Sequence, residues 1–180
     1  MYRYVGNISD LSHYIIKDFV LNKEVAIDAT LGNGYDTDFL SSLFKKVYTF
    51  DIQKEACDNY SANKKDNVEV INDSHHLFKK YINEKVDCIM YNLGFLPGGD
   101  KSITTLHKTS LKSIKEGLEI LKNGGIMTIC IYRGHSEGKI EESCILEYLK
   151  TLPKNQFGVM VQTYLNRQEI SPLLVVIEKK

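Results

Sequence analysis

The sequence predicts an α/β protein built on a seven-stranded, mostly parallel sheet with helices on both faces. Two patterns predict it. Short, nearly continuous apolar runs alternate with longer amphipathic stretches, as expected of strands buried on both faces and joined by crossover helices. The last two apolar runs are separated by residues 166–172 alone, too few for a crossover helix, so they must pair antiparallel as a hairpin at the end of the sheet. With 180 residues, 43% of them hydrophobic and 26% charged, the chain suits a single domain, 1–180, with a sizeable core.

The elements follow in order. A helix over Ser9–Leu21 precedes a strand at Val25–Thr30, a helix at Asp36–Phe44 and a strand at Val47–Ile52. A helix at Lys54–Lys65, a strand at Val68–Asp73, a helix at His76–Asn83 and a strand at Val86–Leu93 come next. In the helix predicted over Ser102–Lys122, Ile103, Leu106, Leu111, Ile114, Leu118 and Leu121 make one stripe, stopped by Asn123-Gly124-Gly125. A strand at Ile126–Tyr132, a helix at Glu137–Leu152 and strands at Phe157–Leu165 and Leu173–Glu178 complete the chain.

Composition excludes several classes. Lys plus Arg and Asp plus Glu both number 23, so no global charge drives the chain onto nucleic acid or membrane, although a local basic face stays open. Cys57, Cys88, Cys130 and Cys144 show no CxxC spacing and read as buried free thiols in a reducing compartment. The opening MYRYVGNISD lacks the order of a signal peptide, and no apolar run approaches the roughly 18 residues of a membrane span. A cytoplasmic protein is the expectation.

Open α/β sheets bind ligands at the carboxyl ends of their strands, so those ends carry the functional reading. After the first strand, Asp28-Ala29-Thr30-Leu31-Gly32-Asn33-Gly34-Tyr35-Asp36-Thr37 turns into a helix with glycines where a backbone must pass close to a ligand. The second strand ends at Asp51, 23 residues after Asp28, where a carboxylate can accept bonds from ribose hydroxyls. A dinucleotide pyrophosphate would want a third glycine, and Asp36-Thr37 stand in that region. Added carboxylates suit a cofactor bearing an ammonium and a sulfonium, so S-adenosylmethionine (SAM) fits better than NAD. An NAD-linked oxidoreductase or a non-catalytic nucleotide-binding module is the rival. The adjacent His75 and His76 do not share a face and have no further ligand nearby, which argues against a metal site.

The first motif resembles that of class I methyltransferases, a Rossmann-like family, with Thr30 standing where the first glycine usually is. The resemblance implies that Asp28, Gly32, Asn33, Gly34, Asp36, Thr37, Asp51, Gln53, Asp73, Ser74 and His75 surround the cofactor. At the fourth strand end, Asn92-x-x-Phe95 is similar to the motif of amino-group methyltransferases. There the Asn92 carbonyl would orient an amine and Phe95 would stack on the substrate's base, positioning that supplies much of the rate in a simple displacement. Taken alone, Asn92 reads better as a strand-end turn residue and Phe95 as core.

DATLGNGYDT, YNLGFLPGGDKSITT and YRGHSEGKIEE together closely resemble a small bacterial family long labelled rRNA methylases. That family is associated with methylating the aminomethyl group of 5-aminomethyl-2-thiouridine at the tRNA wobble position. The resemblance runs from His13 to Lys179; Ser171-Pro172 replaces the paired prolines the family tends to have. It implies a tRNA anticodon stem-loop as partner, with Asp100, Lys101, Tyr132, Arg133 and His135 on the substrate rim. His135 could bind substrate, take a proton from the aliphatic ammonium or hold a turn. The alternatives are an rRNA base or a small-molecule amine. A homodimer is a further expectation, because so small a chain offers little surface to grip a tRNA.

Overall fold

The computed structural model describes all residues except Met1, Arg3, Pro97 and Lys101. Its elements are α1 (Ile8–Phe19), β1 (Val25–Asp28), α2 (Tyr35–Leu43), β2 (Lys46–Phe50), α3 (Lys54–Ser61) and β3 (Val68–Ile71). A 3-10 turn (His75–Leu77) leads into α4 (Phe78–Tyr81), followed by β4 (Val86–Leu93), α5 (His107–Ile120) and β5 (Leu121–Ile131). The chain continues with α6 (Ser136–Lys150), β6 (Phe157–Gln162) and β7 (Leu173–Lys179).

The strands form one sheet in the order β3-β2-β1-β4-β5-β7-β6. The first five are parallel, and β7 runs antiparallel to both β5 and β6, as the short connection requires. Strand residues alternate between two cores. Ala26, Val47, Cys88 and Met90 pack with Ile16 of α1, Val20 just after it and Leu40 of α2. Ile27, Ile89, Tyr91 and Met127 pack on the other face with Phe78, Ile114 of α5 and Ile145 of α6. β4 is buried along its whole length except at Asn92.

The largest departures from the sequence expectation lie at the two ends of α5. The helix predicted from Ser102 starts at His107, because Leu106 is extended (φ −119°, ψ 134°) and Thr104 bridges to Phe95. Ile103 and Leu106 are 37% and 51% exposed, so the stripe's first two members face outward from a loop. At the other end Leu121 leaves the helix and pairs with Val86, placing Asn123-Gly124-Gly125 inside β5 beside a shift in register. Gly124 has φ +77°, and a Cβ at Gly125 would lie 2.8 Å from Leu121 Cδ1 and 3.0 Å from the Asp87 carbonyl. These glycines therefore serve an irregular strand pairing, as bulges do, and not a helix stop.

The chain winds outward in opposite directions from β1 and β4. Their carboxyl ends mark the point where an open α/β sheet leaves a crevice. Among the described residues, no helix is long and apolar enough to cross a membrane.

Candidate active site

The floor of the crevice is built beneath the turn that follows β1. Asp28 is fully buried and accepts the Thr30 backbone N–H (3.0 Å) and the Thr37 hydroxyl (2.6 Å). Thr37 is itself inaccessible and lies 2.9 Å from the Thr49 hydroxyl. Burial, reinforced by the charge of Asp36, pushes the Asp28 carboxyl up to about 7. Asp28 and Thr37, expected among the residues around the cofactor, thus support the turn from below.

The turn is tied to the neighbouring strands. Leu31 N–H donates to the Phe50 carbonyl (2.9 Å), and Gly32 N–H donates to Asp51 Oδ2 (3.0 Å). The other oxygen of Asp51 accepts Gln53 N–H at 2.8 Å, so the carboxylate is fixed at the rim, half-buried, with acceptor capacity left over. Gly32 and Gly34 have φ +51° and +84°, and a Cβ on Gly34 would fall 2.3 Å from the Tyr60 ring. Asn33, between them, is exposed. Residues 29–34, 51–53 and 72–75 include Asp51 and Asp73 but no Lys or Arg.

The β3 end is arranged differently from expectation. Asp73 accepts bonds from Tyr81 OH (2.6 Å), Ser74 N–H (2.8 Å) and Lys80 Nζ (3.1 Å), which hold its carboxyl down at about 2, the tyrosine bond foremost. Ser74 Oγ lies 2.7 Å from His76 Nδ1. The His75 imidazole turns away into the core, edge-on to Tyr91 at 5.9 Å, and burial lowers it to about 4. Asp73 and Ser74 remain half-exposed at the rim, whereas the His75 side chain does not.

Across the crevice, Asn92 backbone N–H donates to Thr30 Oγ1 (2.8 Å), locking β4 to the β1 turn. Its Nδ2 donates to Asp36 Oδ2, and its Oδ1 accepts from Ser9 Oγ at 3.3 Å. Asp36 Oδ1 also meets His13 Nε2 at 2.6 Å, and the His13 ring stacks on Phe39 at 3.8 Å. Ser9 Oγ is 3.4 Å from Tyr132 OH. Ser9 and His13, not singled out from the sequence as site residues, come from the helix before β1. Their signal was a polar pair four residues apart, on one side of a helix that buries Ile8, Ser12 and Ile16.

The acceptor rim is formed by the loop after β4 and the start of α6. Phe95 is exposed, and its ring lies 5.8 Å from that of His135. His135 caps α6: its Nδ1 accepts Gly138 N–H at 3.0 Å, so the proton of the neutral ring sits on Nε2. Arg133, expected on the substrate rim, is committed to Glu142 (2.5 Å) and to the Ser171 carbonyl (2.8 Å), bracing the turn between β6 and β7. Asp100 is exposed in the loop, where it accepts Ser102 N–H at 2.8 Å. Lys101 lies outside the described residues. Among those residues no cluster of three or more His, Cys, Asp or Glu side chains could hold a metal ion. Cys57, Cys88 and Cys130 are buried, and burial pushes the Cys130 thiol up to about 12.

Comparison with known proteins places this geometry in context. Residues 47–178 match the family model described as "Putative rRNA methylase". The chain is 39% identical to a structure titled putative rRNA-methylase from Clostridium thermocellum, with a TM-score of 0.93 over 99% of this chain and 100% of that one. It is 38% identical to a putative methyltransferase from Streptococcus mutans in complex with SAH, with a TM-score of 0.88 over 98% and 99% of the two chains. It is also 30% identical to the chloroplastic tRNA (mnm(5)s(2)U34)-methyltransferase of Arabidopsis thaliana, covering 96% of this chain and 69% of that protein.

Proposed function

This chain belongs to the rRNA methylase family, and we propose that within it the protein methylates the aminomethyl nitrogen of 5-aminomethyl-2-thiouridine at the tRNA wobble position. It is a SAM-dependent methyltransferase. The observation that carries the finer reading is the 30% identity to the plant wobble-uridine enzyme over nearly the whole chain. Asn92 at the open end of β4, with Phe95 three residues on, supports it.

The crevice suits the cofactor on its own chemistry. Carboxylates and backbone turns, with no Lys or Arg on the β1, β2 and β3 loops, complement a sulfonium and an ammonium and would repel a pyrophosphate. Gly32, Asn33, Gly34, Asp51 and Gln53 would hold it, with Asp73 and Ser74 at the adenine end. When bound, the cofactor supplies an electrophilic methyl group.

The chain's own residues then have to place the acceptor. Asn92 Oδ1 takes an amine N–H and so aims the nitrogen lone pair, and Phe95 gives the base a face to stack on. Tyr132 and His135 close the rim. A wobble base is already unpaired, so bringing it to this rim costs less than extruding a base from a duplex.

Mass spectrometry of wobble nucleosides from a strain lacking this protein tests the reading. Accumulated 5-aminomethyl-2-thiouridine, cleared by adding the enzyme and SAM, is the expected result. Unchanged wobble nucleosides beside an undermethylated rRNA base would move the substrate to ribosomal RNA.

A further inference from the structure

We infer that Asp36, braced by His13, sets which way the Asn92 carboxamide faces: Nδ2 inward to the carboxylate, Oδ1 outward to the acceptor amine. This rests on the reading of Asn92 as the acceptor's partner and adds two positioning residues to it.

A carboxamide is nearly symmetric in shape, and its two ends exchange by a half-turn about one bond. Only unequal neighbours can decide between them. The Asn92 backbone is fixed by its bond to Thr30, so the choice falls on what surrounds the side chain. An ionised carboxylate accepts and cannot donate, so Asp36 Oδ2 welcomes Nδ2 and repels Oδ1. Asp36 is free to impose this choice because it is itself held. His13 meets its other oxygen at 2.6 Å, and the imidazole is clamped parallel to Phe39, 4° between planes.

The outward oxygen is kept in reserve. Its contact with Ser9 Oγ is long, 3.3 Å, and the same hydroxyl lies 3.4 Å from Tyr132 OH. An incoming amine N–H can therefore take Asn92 Oδ1 while Ser9 turns to Tyr132, and no polar group is left unpaired. Without Asp36 the carboxamide would present a donor to the amine in part of the molecules, and that fraction would be inactive.

Exchanging the two residues tests this. Asn92→Asp faces two carboxylates and should lose about 100-fold in kcat. Asp36→Asn should lose about tenfold, with KM for SAM little changed. The double variant restores one carboxylate and one carboxamide in swapped places, and should recover at least about tenfold over Asn92→Asp alone. Additive losses would overturn the inference.

A substrate-free measurement separates it from the wobble assignment. In the SAH complex, the Asn92 side-chain amide signals in a 1H–15N spectrum should be slow to exchange and should lose that protection in Asp36→Asn. If the wild type fails to methylate 5-aminomethyl-2-thiouridine but this dependence is present, the substrate reading falls and the positioning role stands. If the amide is indifferent to Asp36, the positioning role falls whatever the substrate.

Discussion

The turn after β1 and the loop between β4 and α5 face each other across the crevice, and they are held in opposite ways. Beside its internal bonds, the turn is tied to the neighbouring strands: Leu31 N–H donates to the end of β2 and Gly32 N–H to Asp51, and Asn92 of β4 donates to Thr30. Among the described residues the backbone bonds of the loop run within it, Gly99 to Leu96, Ile103 to Asp100 and Thr105 to Gly94, and the Thr105 hydroxyl ties it to Glu141 of α6. One side is therefore preformed by the sheet, and the other depends on its own short-range bonds. That difference suits a cofactor that is the same small molecule in every turnover, because preorganisation lowers the ordering cost of binding it.

The largest expected effect lies beneath the preformed side. Asp28 titrates near 7 in the folded protein against an ordinary 3.8, so the folded state binds more protons than the unfolded state between those values. Stability should fall as pH rises through that window and level off above it. Asp28→Asn should flatten that slope in denaturant titrations from pH 4 to 8. An unchanged slope would place the titration elsewhere.

Next comes a matched pair of glycines. Gly34→Ala puts a Cβ 2.3 Å from Tyr60 at φ +84° and should cost about 3 kcal/mol by thermal unfolding. Gly98 has almost the same φ, +83°, with none of the described residues within 4 Å of an added Cβ. Gly98→Ala should therefore be the smallest effect, about 1 kcal/mol of backbone strain. Equal losses at the two sites would break the comparison.

Between them falls a functional contrast. Asp51→Ala removes an acceptor pinned by two backbone bonds on the donor side and should weaken SAH binding about 10- to 100-fold by calorimetry. Asn92→Ala should leave SAH affinity within about twofold and lower turnover about 100-fold. If both variants lose cofactor affinity equally, donor and acceptor sides are not separable.

Much of the sheet was legible because its strands are short apolar runs, and the hairpin because its connection is too short for a helix. The start of α5 was not. Ile103 and Leu106 keep helical spacing, yet the bridge from Thr104 to Phe95 holds that segment extended, and a spacing pattern does not report a long-range pairing. The same reason hid part of the site. Asp28, Asp36 and Thr37 were visible as an acidic turn, but which of them lies under the floor depends on packing. Ser9 and His13 reach the crevice only through the fold, with Ser9 83 residues from its partner Asn92.

The position of β7 has a consequence for the order in which the chain can assemble. It is made after β6, yet it lies between β6 and β5. A growing chain that has released β6 from the ribosome therefore has nowhere to place it. The strand, with Val159, Met160 and Val161 exposed even in the finished fold, must wait until Leu173–Lys179 emerges. Until then the parallel portion ends on an open β5 edge, a surface that invites pairing with other chains. Losing β7 would thus remove two strands from the sheet, and chaperone demand should peak at that stage of synthesis.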